Sequence, residues 1–303
     1  MSAVAEKPAS VNGASKPKRT PTKRGRWWLE VGWKYPVALL ILFYAGFPLV
    51  YVLSSSLSTR GTLVGTSRLF SSVSFDNFVD VNGTLFWTWM MNTLIIGVAT
   101  SVGTVLMAAA AAYAFSRFRF KGRRMSLTSL LILQMFPQTV AFVAIFLLLL
   151  SLGEVVPALG LNSKLALICV YLGGALGANA FLMYGFFNSI PKEIDESAKI
   201  DGATHAQIFW RIIMPLVTPV LAVVALLGFI TVFGDFVLAK VILVGNTNWT
   251  LSVGMFQWVS SELSANWGLF AAGAVIAAIP VLALFLFLQR WIVGGLTSGA
   301  VKG

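Results

Sequence analysis

Long apolar runs broken by short polar connections dominate the chain beyond about residue 35. Six runs hold enough consecutive apolar residues to cross a hydrocarbon layer roughly 30 Å thick as helices. They extend from Tyr35 to Ser56, Trp89 to Phe115, Leu127 to Leu150, Lys164 to Phe187, Leu216 to Val244 and Gly268 to Trp291. A bilayer interior offers peptide groups no partner, so each run must satisfy its own backbone as a helix. The pattern predicts an all-α, polytopic membrane protein with six transmembrane helices. Small residues, the alanines Ala108 to Ala112 and the pair Gly173 and Gly177, predict close helix contacts.

One polar connection, residues 191–213, carries a helical pattern of its own. Pro191 suits a first helical turn, where its missing N–H does no harm. That helix can run to about Ile200, and Gly202 supplies the permissive backbone of a sharp exit. Thr204 with Gln207 three residues later is a capping box for a second helix. Ile208, Phe209, Ile212 and Ile213 then share one apolar face. The expectation is two short helices meeting at a corner, with Ala198, Gly202 and Ala203 small enough for another protein's backbone to approach. The plainer alternative is a surface loop with two ordinary helical turns.

The connections on the opposite side differ. Residues 57–88 are polar, and Asn246 to Trp267 holds Trp249, Trp258 and Trp267. Tryptophan at a span end is usually an interfacial anchor. Trp258, mid-connection beside Gln257, is the candidate for contact with a partner or a sugar.

Composition agrees with the pattern, since 57% of the 303 residues are hydrophobic and 11% charged. A single cysteine, Cys169, excludes a disulfide framework, and a single histidine, His205, excludes a histidine-built metal cluster. The formal charge of +11 reads as topology. All but four of the 22 lysines and arginines lie before Tyr35, in 116–126, in 188–215 or after residue 289, the exceptions being Arg60, Arg68, Lys164 and Lys240. The positive-inside tendency then places both termini and residues 191–213 in the cytoplasm. Residues 1–34 are expected to be a disordered basic tail that contacts anionic lipid rather than nucleic acid.

No catalytic or metal-binding constellation is legible. Asp235 is the one acid inside a run. Such a residue costs about 2.5 to 3.5 kcal/mol on insertion scales, so it faces a polar path, or it sits hydrated near the outer interface. Gln134, Gln138 and Asn179 either line a path or bond a neighbouring helix. The chain lacks G-x-x-x-x-G-K-[ST], so uphill transport would draw energy from elsewhere.

The residues Glu196-Ser197-Ala198, then Gly202, then Ile212-Ile213-Met214-Pro215 resemble the EAA motif of permease subunits of binding-protein-dependent ABC importers. Ser197 and Met214 depart from that motif, and the spacing matches throughout. Ala112-Tyr113-Ala114-Phe115-Ser116-Arg117-Phe118-Arg119-Phe120, Gln134-Met135-Phe136-Pro137 and the ending from Gln289 to Gly303 are similar to carbohydrate permeases, in particular the smaller, G-type permease of maltose and maltodextrin importers. The similarity covers residues 35–303 and leaves out the tail. It implies a type I ABC importer permease fold in a bacterial or archaeal cytoplasmic membrane. It also implies a heterodimer with a second related permease, two ATPase subunits that use ATP and Mg, and an extracytoplasmic sugar-binding protein. Glu196, Ser197, Ala198, Asp201, Gly202, Ala203, Arg211 and Pro215 would couple to an ATPase, and Gly254, Met255, Phe256, Gln257 and Trp258 would contact the binding protein. Gln134, Asn179 and Asp235 remain as pathway residues. The implied cargo is maltose, maltodextrin or a related α-glucoside such as trehalose. The alternatives are another sugar, glycerol phosphate, or an autonomous channel.

Overall fold

A computed structural model of the chain describes residues 27–59, 69–70, 72–135, 138–260 and 266–300. The basic tail expected over residues 1–34 lies outside the described residues as far as residue 26, as do Pro137 and the last three residues. Every element among the described residues is helical. The elements used below are α1 (Lys34–Ser56), α2 (Asp76–Asp80), α3 (Phe86–Arg117), α4 (Arg123–Met135), α5 (Gln138–Val155), α6 (Lys164–Ser189), α7 (Lys192–Ile200), α8 (His205–Leu216), α9 (Thr218–Gly234), α10 (Val237–Ile242), α11 (Leu251–Val259) and α12 (Trp267–Ala300). The chain forms two compact units, residues 1–50 and 51–303, and α1 begins in one and ends in the other.

Among the described residues α1, α3, α6 and α12 are each long and apolar enough to cross a membrane. The pairs α4–α5 and α8–α9 are each apolar and long enough only when taken together across a bend, and the total is six if each bent pair is one span. Two spans read as continuous are therefore broken. The axes of α4 and α5 meet at 102°, with Pro137 between them in the sequence, where a missing N–H and a ring clash end a helix. The run from Leu216 to Val244 ends its helix at Gly234. Asp235 is extended there and accepts the Leu238 N–H at 3.1 Å, so its short side chain opens α10 instead of continuing α9.

In the second unit α3 is the centre. Its buried positions Trp89, Thr93, Ile96, Thr100, Thr104, Ala108 and Ala112 recur every three or four residues, and α6 and α9 pack on that face. The middle of α3 is built from small residues. A Cβ on Gly97 would stand 3.0 Å from the Phe229 ring, and one on Gly103 would stand 2.7 Å from Leu172. Ser101 Oγ donates to the Ala225 carbonyl at 2.6 Å. The two glycines of α6 divide their roles. Gly177 lets the Leu130 carbonyl of α4 come within 2.9 Å of where a Cβ would be, whereas Gly173 faces a cavity of about 280 Å³.

Bulky side chains gather at the two ends. One cluster holds Val81, Phe86, Trp89, Ile242, Leu251 and Trp258. The other holds Ala108, Ala112, Met183, Phe187, Ile208, Ile213 and Val217. The alanine run thus makes the close contact expected of it, and the second cluster is the floor on which α8 rests, with α7 touching it through Ala198.

Candidate functional site

The corner between α7 and α8 forms from local chemistry. Pro191 is the N-cap of α7 rather than a first-turn residue, and Glu193 and Asp195 in the first turn with Lys199 in the last suit the helix dipole. Gly202 closes the helix at φ +82°, in the left-handed region that glycine occupies without a Cβ penalty. The Gly202 N–H donates to the Lys199 carbonyl at 3.0 Å and the Ala203 N–H to the Ala198 carbonyl at 2.9 Å, a Schellman ending. The capping box follows: Gln207 N–H donates to Thr204 Oγ1 at 3.3 Å, and Thr204 N–H donates to Gln207 Oε1 at 2.7 Å. Beyond one α-helical turn, residues Ile208–Ile213 wind as a π-helix, a form that recurs at functional sites. α8 then meets α9 at 79°.

The pair has an inner and an outer face. Ile208, Phe209 and Ile213 are buried, as the spacing predicts, and Tyr113 of α3 meets the Phe209 ring edge-on at 5.2 Å. The Tyr113 hydroxyl lies 3.4 Å from His205 Nδ1, so the lone histidine packs against α3. Ala198 also faces inward, which differs from its expected place on the outer corner, because Asp195 and Ala198 are one turn apart on the buried side of α7. Glu196, Ser197, Asp201, Gly202, Arg211 and Pro215 are exposed, and Ala203 is half-buried. Asp201, Gly202, Ala203, Gln207, Arg211 and Ile212 line a shallow depression of about 320 Å³. Ile200 at 87% and Trp210 at 55% exposure are two further uncovered apolar side chains of α7 and α8 that sequence reasoning missed.

Sequence reasoning also missed a buried ion pair. Arg117, the last residue of α3, places Nε 2.5 Å from Asp195 Oδ2, with the two side chains 5% and 7% exposed. It is an ion contact rather than an aligned hydrogen bond, and Asp195 Oδ1 has no protein donor. The guanidinium also donates from Nη1 to the Phe187 carbonyl and to Ser116 Oγ, both at 3.0 Å, and from Nη2 to the Ile190 carbonyl at 3.3 Å. Ser116 Oγ donates in turn to Asn188 Oδ1 at 2.8 Å. The signal available in the sequence was an acid one turn before Ala198 on the inner face of an otherwise polar helix.

The other expected site residues are scattered. Gln134 borders the cavity of about 280 Å³ between α4, α5 and α6, with Nε2 3.5 Å from the Gly174 carbonyl. Asn179 Nδ2 donates within its own helix to the Ala175 carbonyl at 2.7 Å. Asp235 is half-buried and occupied in capping α10. None of the three meets another.

At the far end, residues 251–259 are a helix, α11, where the sequence suggested a connection. Asn92 donates to the carbonyls of Thr247 and Trp249 at 2.8 and 2.9 Å, and Trp89 Nε1 donates to the Asn246 carbonyl at 2.7 Å. The preceding turn is thereby pinned to α3. Trp258 is buried, with its ring 6.2 Å from that of Phe86 and 5.8 Å from that of Trp89, so the surface candidate belongs to the core. Met255 is buried as well, and Gly254 is pressed on the Trp89 ring. Phe256 and Gln257 alone of these five point outward. Among the described residues no three His, Cys, Asp or Glu side chains could hold a metal ion.

Residues 104–298, which include Arg117, Asp195 and the whole α7–α8 corner, match the family described as binding-protein-dependent transport system inner membrane component. The chain belongs to this family. As one of these inner membrane components it is a multi-pass transport subunit, not an enzyme. This permease is 41% identical to the galactooligosaccharides transport system permease protein GanQ of Bacillus subtilis, over 88% of the chain and 94% of that protein. It is 36% identical to the maltose/maltodextrin transport system permease protein MalG of Escherichia coli, again over 88% and 94%. Its fold matches a chain of a bacterial ABC transporter involved in import of the acidic polysaccharide alginate, with a TM-score of 0.71 at 26% identity, covering 90% of the permease and 99% of that chain.

Proposed function

We propose that the chain is the permease subunit of an ATP-driven, binding-protein-dependent oligosaccharide importer, with α7 and α8 as its contact to an ATPase subunit. One observation carries this. The corner exposes Glu196 and a shallow depression edged by Asp201 and Arg211, while its inner face meets an apolar cluster. A contact that transmits force must not slide. A short helix pair seated in a groove buries apolar area, here that of Ile200 and Trp210, and its rim charges fix the register. The permease would pair with a second, related permease and two ATPases that use ATP and Mg, and would meet a sugar-binding protein at the end bearing α11. The lysine and arginine distribution supports termini and corner in the cytoplasm of a bacterial or archaeal cell.

Maltodextrin and related α-glucosides are the proposed cargo, and the similarity to a galactooligosaccharide permease adds galactooligosaccharides as a second reading. Gly202→Asp tests the docking surface: ATPase subunits are expected to be lost on co-purification, or uptake abolished, with the permease still present in the membrane. Normal uptake by that variant at normal expression would overturn the assignment.

A further inference from the structure

α7 has little grip on the bundle. Of its nine residues only Asp195 and Ala198 are buried, and a methyl group offers no resistance to sliding. The hold on α7 therefore passes through Asp195 and the guanidinium of Arg117. That guanidinium is also bonded to the carbonyls of Phe187 and Ile190, where α6 ends. Its neighbour Ser116 bonds Asn188, so two adjacent residues of α3 clasp the same turn of α6. Three helix ends thus converge on one cation. The C-terminal ends of α3 and α6 direct their partial negative charge at it, and the first turn of α7 supplies the carboxylate.

We propose that the Arg117–Asp195 pair is the mechanical link that carries displacement of α7 into the spans α3 and α6; the inference rests on the reading that α7 and α8 receive the ATPase. α8 needs no such device, because the chain runs directly from it through Val217 into α9. α7 is joined to α6 covalently only by Ile190 and Pro191, and neither immediate chain neighbour of α7 is a residue of α3. Without the pair, a push on α7 would bend this joint. With it, α3 and α6 move together. A buried ion pair contributes little net stability, because desolvation offsets the attraction, so a fixed position is the better reason for its presence. The planar fork of arginine is required, since lysine offers one flexible point charge and cannot reach the Asp195 carboxylate, Ser116 and the Phe187 and Ile190 carbonyls together.

The test uses Arg117→Lys and the paired Arg117→Met/Asp195→Leu in the complete complex, reconstituted with partner permease, ATPases and binding protein. The readouts are retention of the ATPases and the ratio of sugar imported to ATP hydrolysed, with maltotriose or galactotriose as cargo, whichever the wild-type complex imports. Both variants are expected to keep the ATPases and hydrolyse ATP, because the outer face is untouched, while the ratio falls about tenfold. An unchanged ratio in both overturns the link. So does loss of assembly in both, which would make the pair a folding element. If Gly202→Asp has no effect, the docking reading fails and this inference fails with it; if Gly202→Asp acts as expected and the ratio stays normal, the link alone is wrong.

Discussion

Two glycines of this chain fail for opposite reasons when given a side chain. At Gly202 a Cβ would meet nothing within 4 Å, yet φ is +82°. Alanine there is expected to cost only the left-handed backbone penalty, about 1 kcal/mol, and to leave ATPase retention largely intact, unlike aspartate. At Gly254 the φ is ordinary, but a Cβ would lie 2.1 Å from Trp89 Cδ2. The Trp89 ring is held by its hydrogen bond to the Asn246 carbonyl and cannot swing aside. Gly254→Ala is therefore expected to lose about 2 to 3 kcal/mol, read as a lower melting temperature of the purified protein, whereas Gly202→Ala melts nearly as wild type. Equal melting of the two variants would contradict this contrast. At this scale legibility followed sequence distance. Gly202, Thr204 and Gln207 act on their own neighbours and were readable. Arg117 and Asp195 are brought together only by the fold, and nothing local marks them as a pair.

Among the elements, α8 owes its start to the reciprocal bonds of Thr204 and Gln207. Removing the hydroxyl with Thr204→Ala is expected to cost about 1 kcal/mol of local stability. Amide exchange at Ala206 to Ile208 should then quicken about fivefold, with α9 unchanged. Exchange that quickens equally in α9 would mean that the box stabilises more than its own turn. Hydrophobic length found the helices but not their breaks. An apolar run does not distinguish a straight span from α4 and α5 meeting at 102°, since hydropathy carries no record of direction. Asp235 was visible as an oddity, yet its capping of α10 depends on an extended break in the backbone that length alone does not show. Trp258 was misplaced because an aromatic in the middle of a connection fits an exposed contact and the core equally well, and only the contacts with Phe86 and Trp89 decide.

For the molecule as a whole, the positive-inside distribution sets an orientation that labelling can check. In a Cys169→Ser background, Lys121→Cys should react with a membrane-impermeant maleimide only after cells are opened, and Thr247→Cys should react in intact cells. Both positions are exposed. The reverse pattern would invert the proposed topology. The family was legible from residues around Glu196, Gly202 and Pro215, whose spacing matches the motif throughout, and the proposed docking role accounts for that fixed spacing. The cargo was not, since Gln134, Asn179 and Asp235 do not converge on any common volume.

The small residues along the middle of α3 carry a consequence for how such a subunit can change shape. Where Gly97 meets Phe229, Gly103 meets Leu172 and Ser101 meets Ala225, small residues of α3 let its neighbours approach closely. Helix contacts made through small residues permit shear, the small sliding of one packed helix along another. The aromatic and aliphatic clusters at the two ends behave like knots that keep their own packing. A bundle knotted at both ends and built from small residues between them would tilt its spans at the waist of α3 while each end stays folded.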